Sequence, residues 1–167
     1  MEQATFSEKQ ERLLQCINPK KQVYALLCDE QAADDGQGGT QYRYQYVTFP
    51  FMPPLAMIKD TVCGCIDART RERIVSTLTW NQKPVWLSTE NQQNWKAAYD
   101  RALQTDGANL PLKLKIGEQD DGTPVYHTFT SVNAFGDFWD TCQQHIHQCL
   151  ADGWAMKDGM DWSEYEI

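Results

Sequence analysis

The run Pro50-Phe51-Met52-Pro53-Pro54 constrains this chain more than any other stretch, because it holds three prolines in five residues. Each proline fixes its own φ and pushes its predecessor out of the helical region, so neither a helix nor a central strand can pass through. The chain must build one module before this joint and another after it. The division expected is a first module over residues 1–50, a second domain over 51–153, and a tail over 154–167.

Ahead of the joint, Phe6, Leu13, Leu14 and Ile17 with charges between them suit one amphipathic helix from Phe6 to Ile17, ended by Asn18-Pro19. Gln22 to Cys28 and Tyr42 to Phe49 have strand composition, and in the second Tyr42, Tyr44 and Tyr46 alternate with Arg43, Gln45 and Val47. The intervening DEQAADDGQGGT is acidic, rich in glycine and free of large apolar residues, which reads as a solvated hairpin loop. Its acids lack the alternate spacing and terminal glutamate of a calcium-binding EF-hand loop.

After the joint, Leu55, Ile58, Val62, Cys65 and Ile66 recur at helical spacing over Leu55 to about Ala68, with Cys63 off that stripe. Cys63-Gly64-Cys65 is too short for the CxxC spacing of thiol redox or zinc sites, so packed thiols are favoured. Two strands, Ile74–Trp80 and Lys83–Leu87, flank Asn81-Gln82 as a tight hairpin. Ser88 caps a helix from Thr89 to Gln104 with Trp95, Ala98, Tyr99 and Ala102 inward, and Asp106-Gly107 closes it. Leu112–Ile116 and Val125–Phe129 form a second hairpin, and Ser131 caps a last helix from about Val132 to Ala151 that Gly153 stops. The fold class is therefore α+β: an N-terminal helix and hairpin, then about three helices and two hairpins.

That last helix carries Cys142-Gln143-Gln144-His145-Ile146-His147-Gln148-Cys149, two thiols and two imidazoles in eight residues. At about 100° per residue, Phe135, Phe138, Trp139, His145, Ile146 and Cys149 fall within roughly 60° of Cys142, and His147 lies well off that stripe. Cys142, His145 and Cys149 could share one ion only with a fourth ligand such as Cys65 or His127, and their stripe points into packing rather than solvent. The core reading is preferred, and no metal or cofactor is expected.

A net charge of -8, from 15 basic against 23 acidic residues, argues against a nucleic-acid surface, which needs clustered Lys and Arg. Arg69, Arg71 and Arg73 form the one basic cluster and are interleaved with Asp67 and Glu72. No stretch approaches the roughly 18 apolar residues of a membrane span. The charged N-terminus does not resemble a secretory signal, so synthesis and retention in cytoplasm with six free thiols are expected. No nucleophile elbow, phosphate loop, dinucleotide fingerprint or HExxH helix is present, and the Asp34-Asp35 and Asp120-Asp121 pairs lie in turns, so no catalytic residue is nominated. The tail interleaves Trp154, Met156, Met160, Trp162 and Tyr165 with acids and is broken by Gly153 and Gly159. It either folds back over its own domain or docks on a neighbour.

From Ile66 to Trp154 the order TLTWNQKPVWLS, ENQQNWKAAYDRA, YHTFTS and NAFGDFWDTCQQHIHQCLADGW resembles a domain family of unknown function found in phages and prophages, often beside tail genes. The Trp-Leu-Ser that leads from hairpin to helix is its most specific part. The resemblance implies a non-enzymatic virion protein, a tail or baseplate component acting through other tail proteins and through copies of itself, located in the virion. The alternatives are a tail-fibre assembly chaperone and a small acidic inhibitor of a host enzyme. Candidate partner-binding residues are Tyr42, Tyr44, Tyr46, Trp154, Trp162 and Tyr165, with neither nucleic acid nor membrane as partner.

Overall fold

A computed structural model describes residues 2–165. Its elements in chain order are β1 (Glu2–Phe6), β2 (Leu14–Asn18), β3 (Val23–Asp34), β4 (Thr40–Phe49), α1 (Leu55–Ser76), β5 (Leu78–Trp80), β6 (Lys83–Val85), α2 (Thr89–Gln104), β7 (Leu112–Glu118), β8 (Pro124–Phe129), α3 (Val132–Asp158) and a single 3-10 turn at Trp162–Tyr165. Helices and antiparallel strands are both present, as an α+β chain requires. The expected N-terminal helix is absent: Phe6 ends β1, Leu14 and Ile17 belong to β2, and Leu13 lies just ahead of β2.

The reason lies in where those apolar residues fall. Phe6 and Leu13 are separated by SEKQER, a polar stretch that gives a helix no inward contact over nearly two turns. Strand pairing satisfies the backbone instead. Glu2–Phe6 pairs antiparallel with Tyr46–Tyr42 of β4, and Leu14–Cys16 pairs with Leu26–Tyr24 of β3. The sheet order is β1-β4-β3-β2. Leu14 is then fully buried, which an isolated helix could not have achieved.

The chain divides into two compact units, one from residues up to Arg69 together with those from Ala155 onward, the other Thr70–Trp154. The joint at Pro50–Pro54 ends the sheet, but the division between units falls inside α1. In the first unit, Ile58, Val62, Cys65 and Ile66 form the inward stripe of α1 that their spacing predicts, whereas Leu55, expected on the same stripe, lies at the helix start and is 49% exposed. They pack with Leu14, Tyr24, Leu26, Cys28 and Tyr165, bordered by Leu13, Phe49, Met160 and Trp162. The tail thus folds back on the first unit.

In the second unit, Ile74 to Ser76 continue α1 rather than starting a strand, and the first hairpin is only three residues a side. Its turn residues Asn81 and Gln82 have φ of 49° and 61°, the doubly left-handed turn that matches strand twist. The Ser88 hydroxyl accepts from the Asn91 N–H at 3.2 Å, and Ser131 does the same for Ala134 at 3.2 Å, capping α2 and α3 as expected. The core is aromatic. Phe129 and Phe135 stack at 4.2 Å, and Phe138 lies edge-on to Trp80 at 5.0 Å and Trp95 at 5.2 Å. Such side chains each contribute about 1.5–3 kcal/mol by burial, with ring geometry adding about 0.5–1.5 kcal/mol per pair.

The helix expected to stop at Gly153 runs on to Asp158. Gly153 permits a close approach rather than a turn, because a Cβ there would lie 2.5 Å from Thr70 Oγ1. Gly117 has the same use in β7, where a Cβ would sit 2.2 Å from the Pro84 carbonyl oxygen. Beside it, the Trp86 N–H donates to the Ile116 carbonyl at 2.8 Å and joins the two hairpins.

Candidate functional site

In the histidine- and cysteine-rich stretch of α3 the two cysteines face the second unit's interior, His145 is half-buried and His147 is exposed. Cys142 is fully buried within the aromatic core, and burial pushes its thiol up to about 12. Cys149 is also buried, with its thiol raised for the same first cause. The His145 Nε2 lies 3.2 Å from the Arg73 carbonyl oxygen and 3.6 Å from the Cys149 sulfur. His127 stands edge-on to Trp80 at 4.8 Å and to Phe129 at 4.7 Å. Among the described residues, no group of three or more His, Cys, Asp or Glu side chains is placed to hold a metal ion. Two arginines of the basic cluster are ion-paired, Arg69 with Asp29 at 2.7 Å and Arg73 with Asp152 at 2.8 Å.

The six residues nominated for partner contact have different surroundings. Tyr44 is internal, at 1% exposure, accepting from the Gln10 N–H at 3.1 Å and donating to Glu30 at 3.0 Å. Tyr42 and Tyr46 are half-buried, and the Tyr46 hydroxyl donates to Glu2. Trp162 is half-buried in the first unit, with the Lys59 ammonium 5.1 Å above its ring, and Tyr165 is buried beside it. Trp154 is the one that stands well into solvent, at 61% exposure.

Exposed apolar residues are concentrated elsewhere in the sequence. Phe51, Met52, Leu55 and Met57 are each more than a third exposed, in the joint and the first turn of α1. Residues 51–57 read FMPPLAM, so the signal was in the sequence as an apolar run straddling the proline joint and the start of α1.

The first unit also contains a cavity of about 180 Å³ that opens to the surface beside Met156. Its apolar walls come from Leu13, Val62, Ile66, Met156 and Met160, and its polar edge from Cys28, Asp29, Glu30, Tyr44, Arg69 and Tyr165. A β-bulge makes that edge. The β3–β4 register shifts between Cys28 and Gln31, so Asp29 and Glu30 together oppose Tyr44, and Asp29 takes φ 53°. An aspartate tolerates the left-handed region better than most residues. The bulge aims its carboxylate at Arg69 and leaves the side chain only 6% exposed. Behind it the Cys28 and Cys65 thiols are hydrogen-bonded, which together with burial raises Cys28. None of this geometry was legible from residue types alone.

Comparison with family models, with curated proteins and with solved structures returned no match.

Proposed function

We propose that this chain is a non-enzymatic component of a phage or prophage particle, associated with the tail or baseplate, that works through contacts between protein chains. The observation that supports it is the exposed apolar run Phe51, Met52, Leu55 and Met57. Four exposed large apolar side chains within seven residues of sequence are a concentration of the kind that protein interfaces cover. The tail-associated setting rests on the resemblance of residues 66–154 described above. A repeated structural part would use the patch against further copies of itself.

Native mass determination over a range of concentrations tests this reading. The expected result is a defined oligomer that dissociates in a Phe51→Ser, Met52→Ser, Leu55→Ser variant with an unchanged circular dichroism spectrum. A wild-type monomer at every concentration would refute self-assembly and turn the reading toward a tail-fibre chaperone. An oligomer indifferent to the three substitutions would show that the patch is not the contact.

A further inference from the structure

We propose that the cavity in the first unit binds a small neutral molecule about the size of one aromatic ring, apolar over most of its surface and carrying one hydrogen-bond acceptor for the Tyr165 hydroxyl. This inference is independent of the contact reading above.

Size and lining set the first limits. A volume of about 180 Å³ exceeds the roughly 150 Å³ of an apolar cavity known to stay dry and admit benzene. Leu13, Val62 and Ile66 form an aliphatic wall, and Met156 and Met160 add flexible thioethers that adapt to the shape of a guest.

Charge sets the next limit. Each ionised group on the polar edge already has a partner: Asp29 is held by Arg69 at 2.7 Å, and Glu30 by Lys9 at 3.2 Å and by the Tyr44 hydroxyl at 3.0 Å. The Tyr44 oxygen is itself used twice, since it also accepts from the Gln10 N–H. A charged guest would lose its hydration without gaining a counter-ion, whereas a neutral acceptor loses far less and regains a hydrogen bond.

Tyr165 supplies the specific contact. The residue is 3% exposed, yet its hydroxyl makes no hydrogen bond to another described residue. Among the described residues, no fully enclosed side-chain oxygen or nitrogen lacks a partner, so this oxygen must face open space. The cavity is the open space that Tyr165 lines. Burial first, and then the nearby Cys28, raises the phenol above its ordinary value, which keeps it a donor at physiological pH. A donor that opens into the cavity and is used by no other side chain is available to a guest's acceptor. The left-handed Asp29 in the bulge is the kind of strained position that gathers at binding sites.

Three probes separate the requirements: acetophenone, with a ring and one neutral acceptor; benzene, with no acceptor; and benzoate, with a charge. Each is titrated into the full chain while backbone amide resonances are followed by NMR. Acetophenone is expected to give saturable shifts centred on Cys28, Val62, Met160 and Tyr165, and to bind about 3- to 10-fold more tightly than benzene. In Tyr165→Phe, acetophenone should fall to the affinity of benzene while benzene is unchanged, a pattern that general loosening of the fold would not produce. No saturable shifts at these residues, benzoate binding as tightly as acetophenone, or equal loss of both neutral probes in Tyr165→Phe would each overturn the proposal. Should the variant not fold, the acetophenone-to-benzene ratio in the wild type decides the matter alone.

Discussion

Gly153→Ala should destabilise the protein in the wild type and stabilise it once Thr70 is also changed. Inside a helix, replacing Gly by Ala is worth about 1 kcal/mol in favour of Ala. Here the new methyl would lie 2.5 Å from Thr70 Oγ1 and 3.3 Å from Thr70 Cγ2, both far inside normal contact. Thr70 is buried and β-branched, so rotation about χ1 exchanges one crowded γ atom for another. Overpacking of this kind costs about 1–3 kcal/mol, which outweighs the propensity gain and leaves a net loss of about 1 kcal/mol. Thr70→Ala removes both γ atoms, and the nearest remaining contact is Thr70 Cβ at an ordinary 3.4 Å. In that background Gly153→Ala should gain about 1 kcal/mol, giving a coupling of about 2 kcal/mol between the two sites. Urea unfolding of the four proteins, followed by helical circular dichroism, measures it. An equal loss in both backgrounds would refute the reasoning, because it would mean that glycine is needed for its backbone and not for the space it leaves.

Gln82→Gly should stabilise the first hairpin by about 0.5–1 kcal/mol, since a left-handed residue other than glycine costs about 1–2 kcal/mol and glycine's extra chain entropy returns part of that gain; an unchanged or lower urea midpoint would contradict it. His127 is held neutral by burial and then by the Lys83 charge, so its folded pKa lies below the ordinary value. The unfolded chain therefore takes up this proton first, and stability should decline as pH falls through about 6.5 toward the lower folded value, then level off. His127→Phe, which keeps a ring against Trp80 and Phe129, should remove that slope in urea midpoints measured over about pH 5 to 8.

What could be read in advance was local. Ser88 and Ser131 cap helices because a short hydroxyl before an apolar-periodic run can do little else, and Asn81-Gln82 turns because its flanks must pair. The stripes of α1 and α3 followed from their period alone. The readings that did not hold depended on partners far along the chain. Leu14 is a strand residue because Leu26 is there to receive it, and the periodicity around Leu14 carries no sign of that pairing. Gly153 looks like a stop until Thr70 is seen opposite, and then it is a gap of the right size. Tyr44 looked like one of three surface tyrosines, but the bulge at Asp29 and Glu30 brings a carboxylate to its hydroxyl and closes it in. The cavity draws its lining from the approach to β2, from β3, β4, α1 and α3, and from the tail, so it exists only after tertiary assembly.

The first unit is composed of residues on both sides of the second in sequence, and this bears on the order in which a ribosome can complete them. Residues 70–154 emerge as one uninterrupted segment, with every partner of the aromatic core already synthesised. The sheet and the first half of α1 emerge earlier but must wait, because Met160, Trp162 and Tyr165 lie further along the chain. Until those arrive, Leu13 lacks the Glu164 carbonyl that its N–H donates to at 3.1 Å. The part made first is thus the part finished last, and during that interval its apolar face stands open to chaperones or to a neighbouring nascent chain.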